Sequence, residues 1–268
     1  MWNPTSQKLM RRFIGKLMSL ALGKRLLLPN CLSRGTEASD LINRIIELRQ
    51  RGGRYLEVGV ENALTFEAVK LRHRVGVDPF PRFSVSFLTP WVKFHKLTSN
   101  VFFEANREFF DIIYLDGLHT AEQTLVDLHN SLKKLSKGGV IMIDDTIPID
   151  EFSALPDQNE AYRLRKMIGN SDDKSWHGDV YKVINVINQF KQKNLNIATI
   201  TTLKNPKTII WSDSETTYPN WEPDNFLDVL HARDFKSTFV EGIPESFMPM
   251  SQANFEKVFS KSYKSISE

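Results

Sequence analysis

Residues 109–145 read FFDIIYLDGLHTAEQTLVDLHNSLKKLSKGGVIMIDD, and this stretch decides the kind of fold. "DIIYLD" (111–116) and "GGVIMIDD" (138–145) are short, nearly uniform apolar runs, as strands buried on both faces of a parallel sheet must be. Between them Ala121, Leu125, Leu128, Leu132 and Leu135 recur at spacings of four and three, which predicts a helix with one apolar stripe. Thr120 and Gln123 make a capping box at its start, and Gly138 ends it. Strand, helix, strand is the unit of an α/β sheet.

The same stretch poses a chemical question. The first run ends on a carboxylate, Asp116, turns through Gly117 and offers an imidazole, His119, before the helix begins. A core has no use for this, because an ionised group is costly to bury without a partner.

Outward from this unit the alternation continues. "RYLEVGV" (54–60) reads as a strand, "ALTFEAVKL" (63–71) as a helix, "HRVGVDPF" (73–80) as a second strand and "WVKFHKLTS" (91–99) as a weaker third. Residues 146–177 are polar and irregular, with a short helix around "NEAYRLRKMI", and the length suits a segment that covers a substrate. A helix follows in "DVYKVINVINQF". "NIATITTLKNPKTIIWSD" (196–213) reads as a hairpin turning at "KNPK", and short helices are expected near 224–231 and 252–260. The expected organisation is an N-terminal basic helical extension (1–50), an α/β domain (51–213) and a C-terminal extension (214–268).

Composition sets the bounds. A chain of 268 residues with 41% hydrophobic and 25% charged residues has the make-up of a globular protein. Its single cysteine, Cys31, excludes an internal disulfide and a Cys-rich zinc site, which fits a reducing compartment. The most apolar candidate span, residues 13–28, is broken by Lys16, Lys24 and Arg25, and a cytoplasmic location is expected. The net charge of +3 gives no case for nucleic acid. The first acidic residue is Glu37, however, and Lys8, Arg11, Arg12, Lys16, Lys24, Arg25 and Arg34 precede it. Such a basic amphipathic front end contacts an anionic membrane surface, meets an acidic partner or packs its apolar face on the main domain. A homo-oligomer is compatible with the sequence.

In an open α/β sheet, ligands bind beyond the carboxyl ends of the strands. Here the strand ends carry Glu57 with Gly59, Asp78, Asp116 with His119, and Asp144 with Asp145. Carboxylates gathered on one rim repel one another unless cations, donors or ligand hydroxyls lie between them. Asp78, 19 residues beyond Gly59, stands where a nucleotide-binding sheet places an acid for ribose hydroxyls. The loop "GVENALTF" has one glycine where a dinucleotide fingerprint has three, and Glu61 opposes a pyrophosphate. A nucleoside cofactor without phosphates suits this loop, and a nicotinamide-dependent oxidoreductase is disfavoured.

The motifs "YLEVGVENALTFEAV", "VGVDPF", "FFDIIYLDGLHTAEQ", "GGVIMIDDTIP" and "WHGDVYK", spread over roughly residues 53–190, resemble those of class I S-adenosylmethionine-dependent methyltransferases, in particular the branch acting on small molecules and sugars. The resemblance implies a Rossmann-like, seven-stranded, mostly parallel sheet with its last hairpin reversed and helices on both faces. It implies S-adenosylmethionine as cofactor, with Glu57 and Gly59 near its methionine end, Asp78 on the ribose, Ser99 and Asn100 near the adenine, and Asp116 in the same site. Ala63 stands where the family usually has glycine.

A second pattern resembles metal-dependent O-methyltransferases. It implies Asp116, Asp144 and Asp145 as ligands of a divalent ion such as Mg²⁺, with His119 as the base. Spacing alone leaves His119 open as a loop histidine and Asp145 as the start of a turn. In "WHGDVYK", Trp176, Asp179 and Lys182 are secondary candidates to face the acceptor, Asp179 being equally suited to cap the next helix. The function expected is O-methylation of a small molecule or sugar. The alternative is a non-catalytic, membrane-associated scaffold with a degenerate site, to which Glu61 and Ala63 point.

Overall fold

In the computed structural model, residues 25–26, 35–84, 90–169, 171–190, 195–212 and 221–267 are described. The basic N-terminal residues, apart from Arg25, and Cys31 lie outside them. The chain divides into two compact units, Met1–Asn106 and Arg107–Glu268.

In the first unit, β1 (Arg25–Leu26) runs parallel to β4 (Phe83–Ser84). Strands β2 (Arg54–Val58), β3 (His73–Val77) and β5 (Val92–His95) form a parallel set with β3 in the middle. The helix Glu37–Arg49 precedes them; Thr36 and Ser39 form a reciprocal capping box, and Leu41, Ile42 and Ile45 are buried. The helix expected over 63–71 is only Leu64–Ala68. Its end has a physical cause: buried Arg74 reaches back from β3 and donates to the carbonyls of Phe66, Glu67 and Val69. Those carbonyls need no further helical turn to satisfy them.

In the second unit, β6 (Phe110–Leu115) pairs parallel with β7 (Leu135–Ile143), so strand, helix, strand is present as expected. Two details differ. The helix is Ala121–Lys133, and Leu135 already opens β7, where Gly138 supplies the left-handed turn of an irregularity against β6 instead of ending the helix. Thr120 occupies the N-cap position, but its side chain caps nothing and Gln123 donates to Asp127. The capping box is absent because Asp179 takes its place: its Oδ1 accepts the Ala121 N–H at 2.7 Å.

The hairpin β8 (Leu195–Ile200) and β9 (Lys207–Ser212) is antiparallel, as expected, and β9 is antiparallel to β7. A further strand, β10 (Pro249–Met250), pairs parallel with β8. With three strands in the β2 set and five here, eight strands stand where seven were expected. The addition comes from the C-terminal extension, whose two-residue strand carries too little periodicity to read. The helix Gln252–Ser267 follows; Phe255 and Phe259 lie edge-on to buried Trp211 of β9.

The irregular segment after β7 is pinned. Arg165, on the helix Gln158–Met167 and 2% exposed, pairs with Asp150 and donates to the carbonyls of Asp173 and Ser175. His177 N–H donates to Ser153 O, and Trp176 Nε1 to Leu155 O. Among the described residues, no helix is long and apolar enough to cross a membrane.

Arg165→Ala leaves two carbonyls and a carboxylate without their donor, and should cost about 2 to 3 kcal/mol of stability. Arg163→Ala, two positions before Arg165, breaks the exposed i,i+3 pair with Glu160 and should leave the melting temperature unchanged within error. Thermal unfolding followed by circular dichroism measures both, and equal effects would show that Arg165 does not organise the segment.

Candidate functional site

The site of the second unit is built by β-sheet register. Leu115 of β6 pairs with Ile143 of β7, so the next residues, Asp116 and Asp144, leave the sheet side by side. Asp144 N–H still donates to Leu115 O, which holds the two strand ends together. Asp145 then takes a left-handed backbone, φ 58°, a conformation that aspartate tolerates better than most residues. This turn carries its carboxylate to His119.

His119 Nδ1 lies 2.7 Å from Asp145 Oδ2, a close charge contact whose angle departs from a well-aligned hydrogen bond. Its other nitrogen, Nε2, faces Asp116 Oδ1 at 3.8 Å. The Trp176 indole stacks on the imidazole, with ring centres 4.7 Å apart and planes at 13°. A ligand atom from each of Asp116, His119 and Asp145 falls within 4.8 Å of the others.

The "WHGD" stretch clasps the loop that carries His119. Gly178 has φ +65°, and a β-carbon there would sit 1.6 Å from the His119 carbonyl oxygen, so no other residue fits. Asp179 divides its carboxylate between the Ala121 N–H and Lys182 Nζ, at 2.7 and 2.9 Å. Asp179 and Lys182, expected near the acceptor, are thus engaged with the loop and with each other, and Trp176 with His119. His177, 6% exposed, presents Nε2 to Asp145 Oδ1 at 3.9 Å, and its Nδ1 has no hydrogen-bond partner among the described residues.

Asp144 has a different set of neighbours. The register pairs Ile143 with Thr208, which places Lys207 beside Asp144 across the β7–β9 ladder. Lys207 Nζ donates to Asp144 Oδ1 at 2.5 Å, and its side chain is 4% exposed. Asn205 Nδ2 and the Asp145 N–H reach the same oxygen at 3.0 and 2.9 Å, and Tyr114 OH takes Oδ2. Asn205 also bonds Asp145 Oδ1 at 2.8 Å. Sequence reading missed Lys207, Asn205 and Tyr114. The one signal was a lysine opening an otherwise apolar strand.

Titration follows from these contacts. Burial, the largest influence, pulls His119 down, but the contact and charge of Asp145, with Asp116 and Asp144, push it from 6.5 up to about 9. Burial pushes Asp145 up, and its contacts with His119, His177 and Asn205 overcome this and hold it low. Loss of water and the charges of Asp144 and Asp145 raise Asp116, whose side chain keeps 32% exposure that moderates the effect. Burial lowers Lys207, and Asp144 more than reverses it, so the ammonium is retained.

In the first unit, Gly59 takes a positive φ of 83° just after β2. Asp78, after β3, accepts the Val60 and Glu61 N–H groups on Oδ2 and the Phe80 N–H on Oδ1, so its carboxylate shapes the loop after β2. Ala63 adopts φ 63°, which costs an L-residue about 1 to 2 kcal/mol. Glu57 is buried and accepts Tyr55 OH at 2.6 Å; burial, opposed by Tyr55 and Arg74, raises it from 4.5 to about 8. Ser99 opens the helix Ser99–Ala105 and is buried, while Asn100 beside it is exposed.

Residues 56–146 match the model of a methyltransferase-domain family. No curated protein matches the chain. Solved structures similar to it include the cofactor-bound Rv0187 from MTB, at 13% identity over 77% of this chain and 89% of that one, TM-score 0.46. Another is the O-methyltransferase from Bacillus cereus in complex with SAH, at 13% identity over 77% and 90%, TM-score 0.45. A third is MycE methyltransferase from the mycinamycin biosynthetic pathway, in complex with Mg, SAH and mycinamycin VI, at 13% identity over 71% and 59%, TM-score 0.42.

Two titrations test these electrostatics. Glu57 is raised in the folded state, so its contribution to stability is full below 4.5 and is lost as pH rises through about 8. Glu57→Gln should remove that slope and melt higher than the unsubstituted protein at alkaline pH. The His119 imidazole, followed by NMR with a chelator present, should titrate near 9 and fall in Asp145→Asn, where burial is less opposed. A His119 value that ignores the Asp145 substitution would contradict the pairing.

Proposed function

We propose that this chain, whose residues 56–146 match a methyltransferase-domain model, is a class I S-adenosylmethionine-dependent methyltransferase that transfers a methyl group to a hydroxyl of a small molecule, a sugar or glycan precursor. The observation that supports the reading is the His119–Asp145 pair at the ends of β6 and β7, with Nδ1 held at 2.7 Å and Nε2 turned toward Asp116.

The donor S-adenosylmethionine, when bound, supplies an electrophilic methyl on a sulfonium. The acceptor oxygen bonds to that carbon as the carbon–sulfur bond breaks, and the hydroxyl proton must go to a base. His119 is that base. Asp145 holds its Nδ1 and favours the imidazolium, Trp176 fixes the ring plane, and Nε2 is left to take the proton. Before it can act, His119 must release its resting Nε2 proton to solvent, which offsetting the charge of Asp116 and Asp145 would favour. The residues fit a divalent ion through the oxygens of Asp116 and Asp145, since Mg²⁺ is commonly held by one or two carboxylates and keeps several waters. Such an ion would lower the pKa of the acceptor hydroxyl.

Toward the donor, the roles follow the resemblance: Glu57 and Gly59 at the amino acid end, Asp78 at the ribose, Ser99 and Asn100 at the adenine. Asp78 has one carboxylate lone-pair position left after its three backbone bonds, enough for one ribose hydroxyl. The scaffold alternative is weakened by Ala63. Its left-handed backbone keeps the turn that glycine gives the family, at a cost that a discarded site has no reason to bear.

Calorimetry with S-adenosylmethionine and turnover on a panel of hydroxylated sugars test the reading together. His119→Ala should retain donor affinity and lose about 10² to 10⁴ in turnover. Unchanged turnover would remove His119 from the mechanism, and absence of donor binding to the unsubstituted protein would end the methyltransferase reading.

A further inference from the structure

Lys207 and Asp144 form an ion pair in the cluster that the proposed chemistry leaves unused. The Lys207 ammonium is buried against Asp144, one of the carboxylates of the cluster, where an ion-binding site would be expected to exclude a fixed positive charge. It is placed by covalent register, being the β9 residue that stands beside Asp144 once Ile143 pairs with Thr208. The two carboxylates that follow β7 are therefore unequal. Asp144 Oδ1 meets three donors, from Lys207, Asn205 and its own neighbour's backbone, against two lone pairs, and Oδ2 holds Tyr114 OH. Asp145 meets His119 and one amide of Asn205, and Asp116 is a third exposed, with Tyr114 OH at 3.3 Å and His119 Nε2 at 3.8 Å. Beside Asp145, buried His177 turns Nε2 toward its Oδ1 at 3.9 Å.

We propose that Lys207 is a built-in cation that withdraws Asp144 from the ligand set, so that a hard divalent ion is held by Asp116 and Asp145 alone. This rests on the metal-assisted form of the reading above and departs from the three-carboxylate set that the resemblance implies. The chemistry is electrostatic. An ammonium at 2.5 Å neutralises Asp144 and repels a dication drawn toward it, while Asp116 and Asp145 keep oxygens open to one. The consequence is a weak, exchangeable ion, with coordination positions left for water and for the acceptor hydroxyl.

Calorimetric titration of the full chain with Mg²⁺ and with Mn²⁺ tests this. Asp116→Asn should weaken binding by roughly tenfold or more. The charge-balanced double variant Asp144→Asn with Lys207→Met should bind within about threefold of the unsubstituted protein, because neither group holds the ion. Lys207→Met alone frees Asp144 and should tighten binding by roughly tenfold. Should Lys207→Met fail to fold, the double variant still decides, since it leaves no buried charge unpaired. A double variant that loses the ion as Asp116→Asn does would overturn the proposal, as would an unsubstituted protein that binds neither ion. S-adenosylhomocysteine affinity in the same preparations separates that outcome from failure of the methyltransferase reading, because donor binding would persist in one case and vanish in the other.

Discussion

Three carboxylates at the ends of two adjacent parallel strands cannot share a buried corner unless positive charge or strong donors sit among them. Sheet register imposes the crowding: β6 and β7 end in step, so Asp116 and Asp144 emerge as neighbours and Asp145 follows one residue on. The surrounding structure answers it twice. Lys207 reaches Asp144 across the antiparallel ladder, and His119 returns from the loop after β6 to meet Asp145. The first is a fixed charge. The second can titrate, and it faces Asp116.

Holding an imidazole in that place takes a second layer. Trp176 stacks on the ring, Gly178 lies so close that a side chain would collide with the His119 backbone, and Asp179 caps the helix that begins two residues later. This stretch is itself anchored, through Leu155, Ser153 and the carbonyls that Arg165 gathers. The segment after β7 therefore acts as a brace for His119. A helix start capped by a side chain from 58 residues away also couples the loop's position to folding of the whole unit.

Much of this was legible in the sequence. Uniform apolar runs ending in acids gave the parallel strands, and the Leu periodicity gave the helix between them, because both patterns report burial directly. Asp116, His119 and Asp145 were named from their place at strand ends together with a family resemblance, and they meet in one place in the second unit. What stayed hidden depends on contacts distant in sequence. Thr120 and Gln123 have the letters of a capping box, yet Asp179 does the capping. Arg74 shortens a helix that periodicity alone would extend, and Lys207 belongs to the site only because a hairpin 63 residues away folds back beside β7. Local pattern cannot report a partner supplied by tertiary structure.

The central claim is that the corner between β6 and β7 is where a methyl group meets its acceptor. A crystal structure with S-adenosylhomocysteine soaked into it measures this directly. The account requires the sulfur of the bound molecule to face the space in front of His119 Nε2, with Asp145 still on Nδ1. Electron density placing that sulfur away from His119, with the carboxylate cluster facing only solvent, would contradict it.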